Sequence, residues 1–303
     1  MTGRRLQGCT FVALAVLLCV SASPAAFAQR GLNKSLFLSI LDESGKPLKT
    51  LTTDDVMIRE DGVDRQVLTV KPPSQPISVA VLADTAQGRR VTDAYGSPEE
   101  YVRDIRTAIS SFTRALMTQS PEASVSLMEF GQAAMTIVPY TQSPDAVDRG
   151  IKMLVARPDV GSVLMEALLR ANTELGQQPS TRRAVVSLNF EPSDEQSRED
   201  PNKVKKSFAD SGAQLWAVSV QRGTLKNAKR DTVLNDFAKF TGGQRDFIVG
   251  ISAVENILKS YAEALASQFE VVYQRPENAK NVKVVLVGTR PGLKVHASAF
   301  APQ

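Results

Sequence analysis

The chain has 303 residues, a formal net charge of +4, two cysteines and one histidine. Both cysteines, Cys9 and Cys19, lie in the first 28 residues, so a chain that loses this segment has no disulfide framework, no cysteine nucleophile and no thiolate metal site. The same loss changes the balance from 36 basic against 32 acidic side chains to 34 against 32. A net charge of +2 gives no support for a polyanionic partner.

The first 28 residues have the three parts of a secretory signal peptide. A pair of arginines provides the positive start, a short apolar stretch follows, and Ala26-Phe27-Ala28 forms a cleavage signal before Gln29. The apolar stretch is shorter than the ~20 residues that a membrane-spanning helix needs. We therefore predict removal of residues 1–28, a periplasmic or secreted protein, and no membrane insertion after cleavage.

Residues 29–75 are predicted to form an N-terminal β segment and a linker. Residues 35–41 alternate between apolar and polar side chains, and Asp61-Gly62 separates two further β-like runs, which is a hairpin signal. The proline-rich stretch 71–76 then ends the segment.

Residues 76–268 are predicted to form an α/β domain. Ile77–Ala83 is apolar at every position except Ser78, which is typical of a strand buried on both faces. Ser97-Pro98-Glu99-Glu100 is typical of a helix start, and the following helix places Ile105, Phe112 and Leu116 on one face. Such alternation of strands and helices predicts a doubly wound, mostly parallel sheet with helices on both faces, which binds ligands beyond the carboxyl ends of its strands.

The rest of this domain follows the same alternation. Ser143 and Asp200, each followed by proline, are predicted to cap two helices, Gly212 and Gly242-Gly243 to end two helices, and Ser252 to cap the last one. Further strands are predicted at 124–130, 135–138, 184–188 and 214–220, and further helices from 143, over 163–175, from 200 to 212, over 231–241 and from 252 to about 269.

Residues 269–303 are predicted to be a C-terminal β segment, with strands at 270–274, 282–287 and 294–299. Two or three isolated strands are only marginally stable. We therefore expect the segments 29–75 and 269–303 to pair into one small β-sandwich, with the α/β domain inserted between them.

Three loops are predicted to meet at the carboxyl edge of the parallel sheet. One follows the first core strand, one precedes the helix at 163–175, and one follows the strand at 184–188. An acid after one strand and a hydroxyl at a helix start are groups that a hard cation uses. The crevice residues on these loops are Asp84, Gly88, Ser162, Asn189, Phe190 and Glu191.

Several short motifs occur in a fixed order along nearly the whole mature chain. They are L-D-E-S-G-K-P-L at 41–48, L-T-T-D-D-V at 51–56, E-D-G at 60–62, A-K-F-T-G-G at 238–243, F-E-V-V-Y at 269–273 and R-P-G-L-K-V at 290–295. With these motifs the chain resembles the von Willebrand factor A domain, and more closely the bacterial VWFA-related family described from acidobacterial genomes. The resemblance implies a von Willebrand A-like α/β domain and a role in protein binding or adhesion. On this basis we predict that a partner protein binds at the rim of the crevice, at the six residues from Asp84 to Glu191 named above.

The resemblance also implies where a metal-ion-dependent adhesion site would lie. Its pattern is D-x-S-x-S on the first loop, a threonine on the second and an aspartate on the third. Asp84 matches the first aspartate, the two serine positions hold alanine and glycine, Ser162 keeps a hydroxyl, and the last position falls on Asn189 or Phe190. Because magnesium needs near-ideal octahedral oxygen coordination, we expect a degenerate site and no cofactor. Mg²⁺ or another divalent cation at Asp84 and Ser162 is the alternative.

Three functions stay open. We favour an exported, non-catalytic protein-binding or scaffold module that is not an enzyme, because the only histidine, His296, falls in a C-terminal strand away from the crevice. One alternative is a divalent-cation-dependent adhesin, which includes a rearranged site of Asp84 with Glu191 or Asp194. The other is an envelope hydrolase that uses a serine or the pair Glu191 and Asp194.

Two further groups of residues are weighed as binding features. Tyr140 and Phe190 fall near predicted loops and are candidate anchors for a protein partner, with packing as the expected role. The basic cluster at Lys226, Lys229 and Arg230 is predicted to be a solvated face, because no aromatic residues interleave with it as nucleic-acid binding requires. We therefore expect a protein partner in the cell envelope or outside the cell, and no nucleic acid.

Overall fold

The structure is a computed structural model that describes residues 31–87, 98–221, 228–249, 251–279 and 282–300. The predicted signal peptide, the helix start at Ser97 and the candidate rim residue Gly88 lie outside the described residues. No helix in the described ranges is long and apolar enough to cross a membrane.

Strands and helices alternate over the middle of the chain, and strands alone occupy both ends. The strands are β1 Gly31–Leu41, β2 Val56–Glu60, β3 Val63–Arg65, β4 Val67–Lys71, β5 Ser78–Ala83, β6 Ala86–Gln87, β7 Ser124–Phe130, β8 Ala134–Thr141, β9 Arg157–Pro158, β10 Arg183–Phe190, β11 Gln214–Val220, β12 Gln244–Ile248, β13 Phe269–Pro276, β14 Val285–Thr289 and β15 Lys294–His296. The helices are α1 Pro98–Gln119, α2 Pro144–Ile151, α3 Leu164–Gly176, α4 Pro201–Ser211, α5 Ala228–Thr241 and α6 Val254–Ala266.

The central sheet has six strands in the order β12-β11-β10-β5-β7-β8, and every neighbouring pair is parallel except β7 and β8. Apolar side chains of α1, α2 and α6 pack on one face of this sheet, and those of α3, α4 and α5 pack on the other. This architecture confirms the predicted doubly wound, mostly parallel α/β fold. From β5 the chain first builds the sheet towards β8 and then returns to build it towards β12, so the switch point lies between β5 and β10.

Local sequence signals explain several of the helix boundaries. The Ser143 hydroxyl accepts a hydrogen bond from the Ala146 N–H at 3.3 Å, and Asp200 caps α4 through the Asn202 N–H at 2.8 Å. Gly212 ends α4 with a φ of +68°. The predicted cap at Ser252 is wrong, because a short 3-10 turn precedes α6 and the Ala253 position makes no side-chain cap.

One strand of the central sheet was absent from the sequence-based prediction. Residues 244–248 form β12, which pairs in parallel with β11 and makes one edge of the sheet. Only one of its five residues is buried, so it lacks the apolar pattern that marked the central strands. The strand begins directly after Gly242-Gly243, where the predicted helix end is confirmed.

The two ends of the chain form two small sheets around a shared core, which confirms the predicted pairing of N- and C-terminal β segments. One sheet has the order β15-β1-β13-β4 and the other the order β14-β2-β3. Leu38, Ile58 and Val271 lie at the centre of the core between them. Asp61-Gly62 forms the predicted hairpin between β2 and β3, and both residues have positive φ, as a two-residue turn of this kind needs. The boundaries at 28, 75 and 268 remain predictions.

The β-sandwich lies at the amino edge of the central sheet, opposite to the crevice. Gln214, the first residue of β11, donates a hydrogen bond to the Phe37 carbonyl at 3.2 Å. His296 Nδ1 lies 3.0 Å from the Gly243 carbonyl, and its ring is 5.1 Å from that of Trp216. Burial lowers the pKa of His296, which fits a neutral ring that donates from Nδ1. The only histidine therefore holds the two parts of the fold together, far from the carboxyl edge.

Candidate functional site

The structure brings three of the sequence-predicted crevice residues together, with Ser162 and Phe190 both bonded to Asp84. This residue follows β5, and its Oδ1 accepts hydrogen bonds from the Ser162 hydroxyl at 2.6 Å and from the Ala86 N–H at 3.1 Å. Its Oδ2 accepts from the Phe190 N–H, at the end of β10, at 3.1 Å. The loops after β5 and β10 and the start of α3 therefore meet at this carboxylate, as a switch point predicts.

Arg230 completes this cluster. Its guanidinium Nη1 donates to Asp84 Oδ2 and to the Phe190 carbonyl, both at 2.8 Å, and its Nε donates to Glu195 Oε2 at 2.7 Å. The side chain is 0 % exposed although it stands in the first turn of α5. The predicted solvated position of Arg230 is therefore wrong, while Lys229 beside it is exposed and Lys226 lies outside the described residues.

Burial and charge act against each other in this pair. Burial raises the pKa of Asp84, and the Arg230 charge together with hydrogen bonds from Ser162 and Phe190 opposes the rise. Burial alone would lower the pKa of Arg230, but the carboxylates of Asp84 and Glu195 hold it above its ordinary range. The guanidinium is therefore protonated at every accessible pH, and the cluster carries a permanent internal cation.

The residues present do not fit a divalent-cation site of the family type. Both carboxylate oxygens of Asp84 already accept hydrogen bonds, and one of them faces a positive charge. The Asn189 amide turns into the sheet, where it bonds to Ser187 and to the Val218 carbonyl. Within the described part of the chain, no group of three or more histidine, cysteine, aspartate or glutamate side chains is arranged to hold a metal ion.

The predicted rim residues form the floor of the crevice instead of its rim. Asp84, Ser162, Asn189 and Phe190 are fully buried, and Glu191 is nearly so. Phe190 packs against Tyr101 with ring centroids 4.5 Å apart, so it is a core residue and not an anchor for a partner.

The Glu191 carboxylate belongs to a second cluster, near the end of β12. It accepts a hydrogen bond from Arg245 Nη2 at 2.9 Å, and Arg245 also lies 2.9 Å from Asp231 Oδ1. The Arg245 guanidinium lies over the ring of Phe247 at 4.3 Å. Because Arg245 is almost fully buried, it fixes Phe247 in place from below.

Two apolar side chains stand exposed beside this cluster. Phe247 is 47 % exposed and Val249 is 75 % exposed. Val249 directly follows β12, whose last residue Ile248 pairs with Val220, so both side chains lie at the carboxyl edge of the sheet. We call Phe247 and Val249 the Phe247 surface. This surface is absent from the sequence-based prediction because β12 is absent from it, although the run F-I-V at 247–249 is a β-type signal.

The two acids considered for hydrolysis have different surroundings. Glu191 is buried against Arg245, whereas Asp194 is exposed and contributes its backbone carbonyl to the Ser162 N–H at 2.8 Å. His296 lies at the opposite edge of the sheet. This arrangement pairs neither acid with a nucleophile or with a histidine base among the described residues.

No family model matches the chain, and no curated protein matches it. Among solved structures, the chain is similar to the conserved hypothetical protein BatB from Bacteroides thetaiotaomicron, with 16% identity over 62% of this chain and 98% of that chain and a TM-score of 0.46. It is similar to the SpRpn10 VWA domain, with 13% identity, 60% and 95% coverage and a TM-score of 0.47. It is also similar to von Willebrand factor type A from Catenulispora acidiphila, with 11% identity, 88% and 74% coverage and a TM-score of 0.48.

Proposed function

We propose that this chain is an exported, non-catalytic protein-binding or scaffold module of the VWFA-related type, which binds a protein partner at the carboxyl edge of its α/β domain. The observation that carries the proposal is the exposed Phe247 ring, held from below by Arg245. The degenerate metal-ion-dependent adhesion site belongs to the same proposal, and the arginine at Asp84 supports it.

An aromatic side chain that is held in place before binding is suited to anchor a protein interface. Large aromatic residues dominate the binding energy of many interfaces. Ordering a mobile side chain costs about 0.5–1.5 kcal/mol on association, and a side chain that is already fixed avoids much of this cost. Glu191, Asp231 and Ser219 fix Arg245, and Arg245 in turn supports the Phe247 ring.

Site-specific photo-crosslinking tests this surface. A photoreactive phenylalanine analogue placed at position 247 is expected to crosslink one defined protein from the envelope or culture supernatant of the source cells. The matched control places the same analogue at Met57, which is 52 % exposed on the β-sandwich, and is expected to give no such product. Crosslinking of the same protein from both positions, or of none from 247, would contradict the proposal.

A competition experiment then measures the contribution of the surface. Phe247→Ser is expected to weaken binding of the crosslinked protein at least tenfold, because the anchor is lost while its buried support remains. Leu286→Ser, which changes a side chain that is 57 % exposed on the β-sandwich, is expected to leave the affinity unchanged. Equal effects of the two substitutions would show that the partner binds elsewhere.

Export predicts a defined mature N-terminus. We expect the protein recovered from the source cells to begin at Gln29, because cleavage follows Ala26-Phe27-Ala28. Intact-mass analysis of the cell envelope and supernatant fractions checks this result, and Ala28→Asp serves as the variant that blocks cleavage. A full-length chain in the cytoplasmic fraction would contradict export.

A further inference from the structure

Three oxygens from two parts of the chain surround the Arg230 guanidinium. They are the carboxylate oxygens of Asp84 and Glu195 and the carbonyl oxygen of Phe190, at 2.7–2.8 Å from its nitrogens. Two anionic carboxylates and a carbonyl are a ligand set that a hard divalent cation also uses. In this chain the positive charge between these oxygens is the guanidinium of Arg230, a residue of α5.

Both carboxylates are positioned by other groups and not by Arg230 alone. Glu195 Oε1 accepts from the Leu164 N–H at 3.3 Å, at the start of α3, and from the Ser197 N–H at 3.0 Å. Asp84 Oδ1 accepts from Ser162 and from the Ala86 N–H. The oxygens that face Arg230 would therefore stay near their positions if the guanidinium were removed.

Charge compensation is required at this place. Asp84 and Glu195 are almost fully withdrawn from water, and an uncompensated buried carboxylate is strongly destabilising. A bound metal ion would compensate them only while its concentration exceeds its dissociation constant. The guanidinium is part of the chain and is always protonated, so its compensation does not depend on any solute.

We propose that Arg230 is a tethered replacement for a bound cation at the carboxyl edge of the sheet. It ties α5 to the loops after β5 and β10 and makes the native fold independent of divalent metal. The same pocket becomes a divalent-cation site once the guanidinium is removed, with Asp84, Glu195 and the Phe190 carbonyl as ligands. This inference concerns the floor of the crevice and does not depend on the Phe247 surface.

Thermal unfolding with and without millimolar Mn²⁺ tests the proposal on chelator-treated mature protein. The melting temperature of the wild type is expected to be the same in both conditions. Arg230→Ala is expected to melt about 10 °C lower without metal, because two buried carboxylates lose their counter-charge. Mn²⁺ is expected to recover a large part of this loss and to bind at one ion per chain in a calorimetric titration.

Three variants separate charge compensation from packing. Lys229→Ala removes the neighbouring exposed cation on α5 and is expected to behave as the wild type. Arg230→Lys keeps a cation and is expected to fold without responding to Mn²⁺. Asp84→Asn combined with Arg230→Ala removes a ligand and is expected to abolish the Mn²⁺ response.

Four results would overturn the proposal. The first is that the wild type binds Mn²⁺ and that the Asp84→Asn substitution abolishes this binding. The second is a folded Arg230→Ala variant that shows no Mn²⁺ response, and the third is a response that persists in the double variant. The fourth is that Arg230→Ala does not fold even with Mn²⁺ and that Arg230→Lys does not fold either. The pocket would then require the shape of the arginine side chain and not its charge.

Discussion

Gly242→Ala is expected to lower the free energy of unfolding by about 3 kcal/mol or more, through strain at the helix end and a clash with the β-sandwich. A Cβ at position 242 would lie 1.9 Å from the carbonyl carbon and 2.0 Å from the carbonyl oxygen of Ala297. These are backbone atoms, which cannot move aside as the end of a flexible side chain can. The substitution therefore forces β15 and the residues after it away from the α/β domain.

The backbone of Gly242 adds a second source of strain. Its φ is +71°, in the left-handed region, and the Gly243 N–H bonds back to the Ala238 carbonyl at 3.0 Å. This is the hydrogen bond that closes a helix on a left-handed glycine. Two hydrogen bonds join the β-sandwich to the same helix end. The Gly243 carbonyl contacts His296 Nδ1, and the Phe240 carbonyl accepts from the Ala299 N–H.

Gly212→Ala is the matched control. Gly212 ends α4 with a φ of +68°, but a Cβ there would meet nothing within 4 Å. Its loss is expected to be about 1–2 kcal/mol, which is the backbone cost alone. Chemical denaturation of both variants measures the difference. Equal losses would show that the close approach of Ala297 does not contribute to stability.

The sequence predicted the fold well because the relevant signals are local. Ile105, Phe112 and Leu116 lie on the inner face of α1 as their spacing indicates, and all three are buried. The caps at Ser143 and Asp200 and the stops at Gly212 and Gly242 depend on a few neighbouring residues only. Such patterns can be recognised without knowing what packs against them.

The parts that failed depend on contacts between distant residues. Asp84 and Arg230 are separated by 146 positions, so no local pattern shows that they form an ion pair. The burial of Phe190 likewise follows from its place at the switch point of the sheet and not from the residues next to it in the sequence. β12 was missed because an edge strand with one buried residue has no strong periodicity.

The number of charged residues in the sequence also does not predict which charges form ion pairs in the crevice. Arg230 and Arg245 count as two of the 36 basic residues, yet both are buried against carboxylates at the carboxyl edge of one sheet. A count of charges predicts solubility and long-range attraction but not which groups pair inside the fold. The crevice floor is therefore held by fixed internal ion pairs.

A second large effect is expected in the β-sandwich, at Glu60. This side chain is fully buried at the end of β2, and it accepts hydrogen bonds from the Tyr273 hydroxyl at 2.5 Å and from Arg275 Nε at 2.8 Å. Its second oxygen accepts from Arg65 Nε at 2.9 Å. Because β2 and β13 belong to different sheets, one carboxylate joins both layers of the sandwich and both ends of the chain.

Glu60→Gln is expected to lower the free energy of unfolding by about 3 kcal/mol, because Arg275 then stays buried without its counter-charge. Asp64→Asn is the matched control on the same hairpin. Asp64 pairs with Arg59 at the surface, where water screens the interaction, so little change in stability is expected. Urea denaturation of the three proteins measures both effects, and a Glu60→Gln variant as stable as the control would contradict the assigned role.

The effect of Glu60 should also depend on pH in one direction. Burial alone would raise the pKa of Glu60, but hydrogen bonds from Arg275, Tyr273 and Arg65 outweigh it and hold the pKa below its ordinary value. The Glu60 carboxyl therefore takes up a proton at higher pH in the unfolded chain than in the folded chain. Its contribution to stability is complete above the ordinary glutamate pKa of about 4.3. This contribution is lost as the pH falls through the pKa of the folded state. The difference between wild type and Glu60→Gln is expected to be constant near neutral pH and to shrink in acid. Since the other carboxyls titrate in both proteins, their contributions cancel in this difference, and a gap that widens in acid would show that Glu60 is not held as an ion.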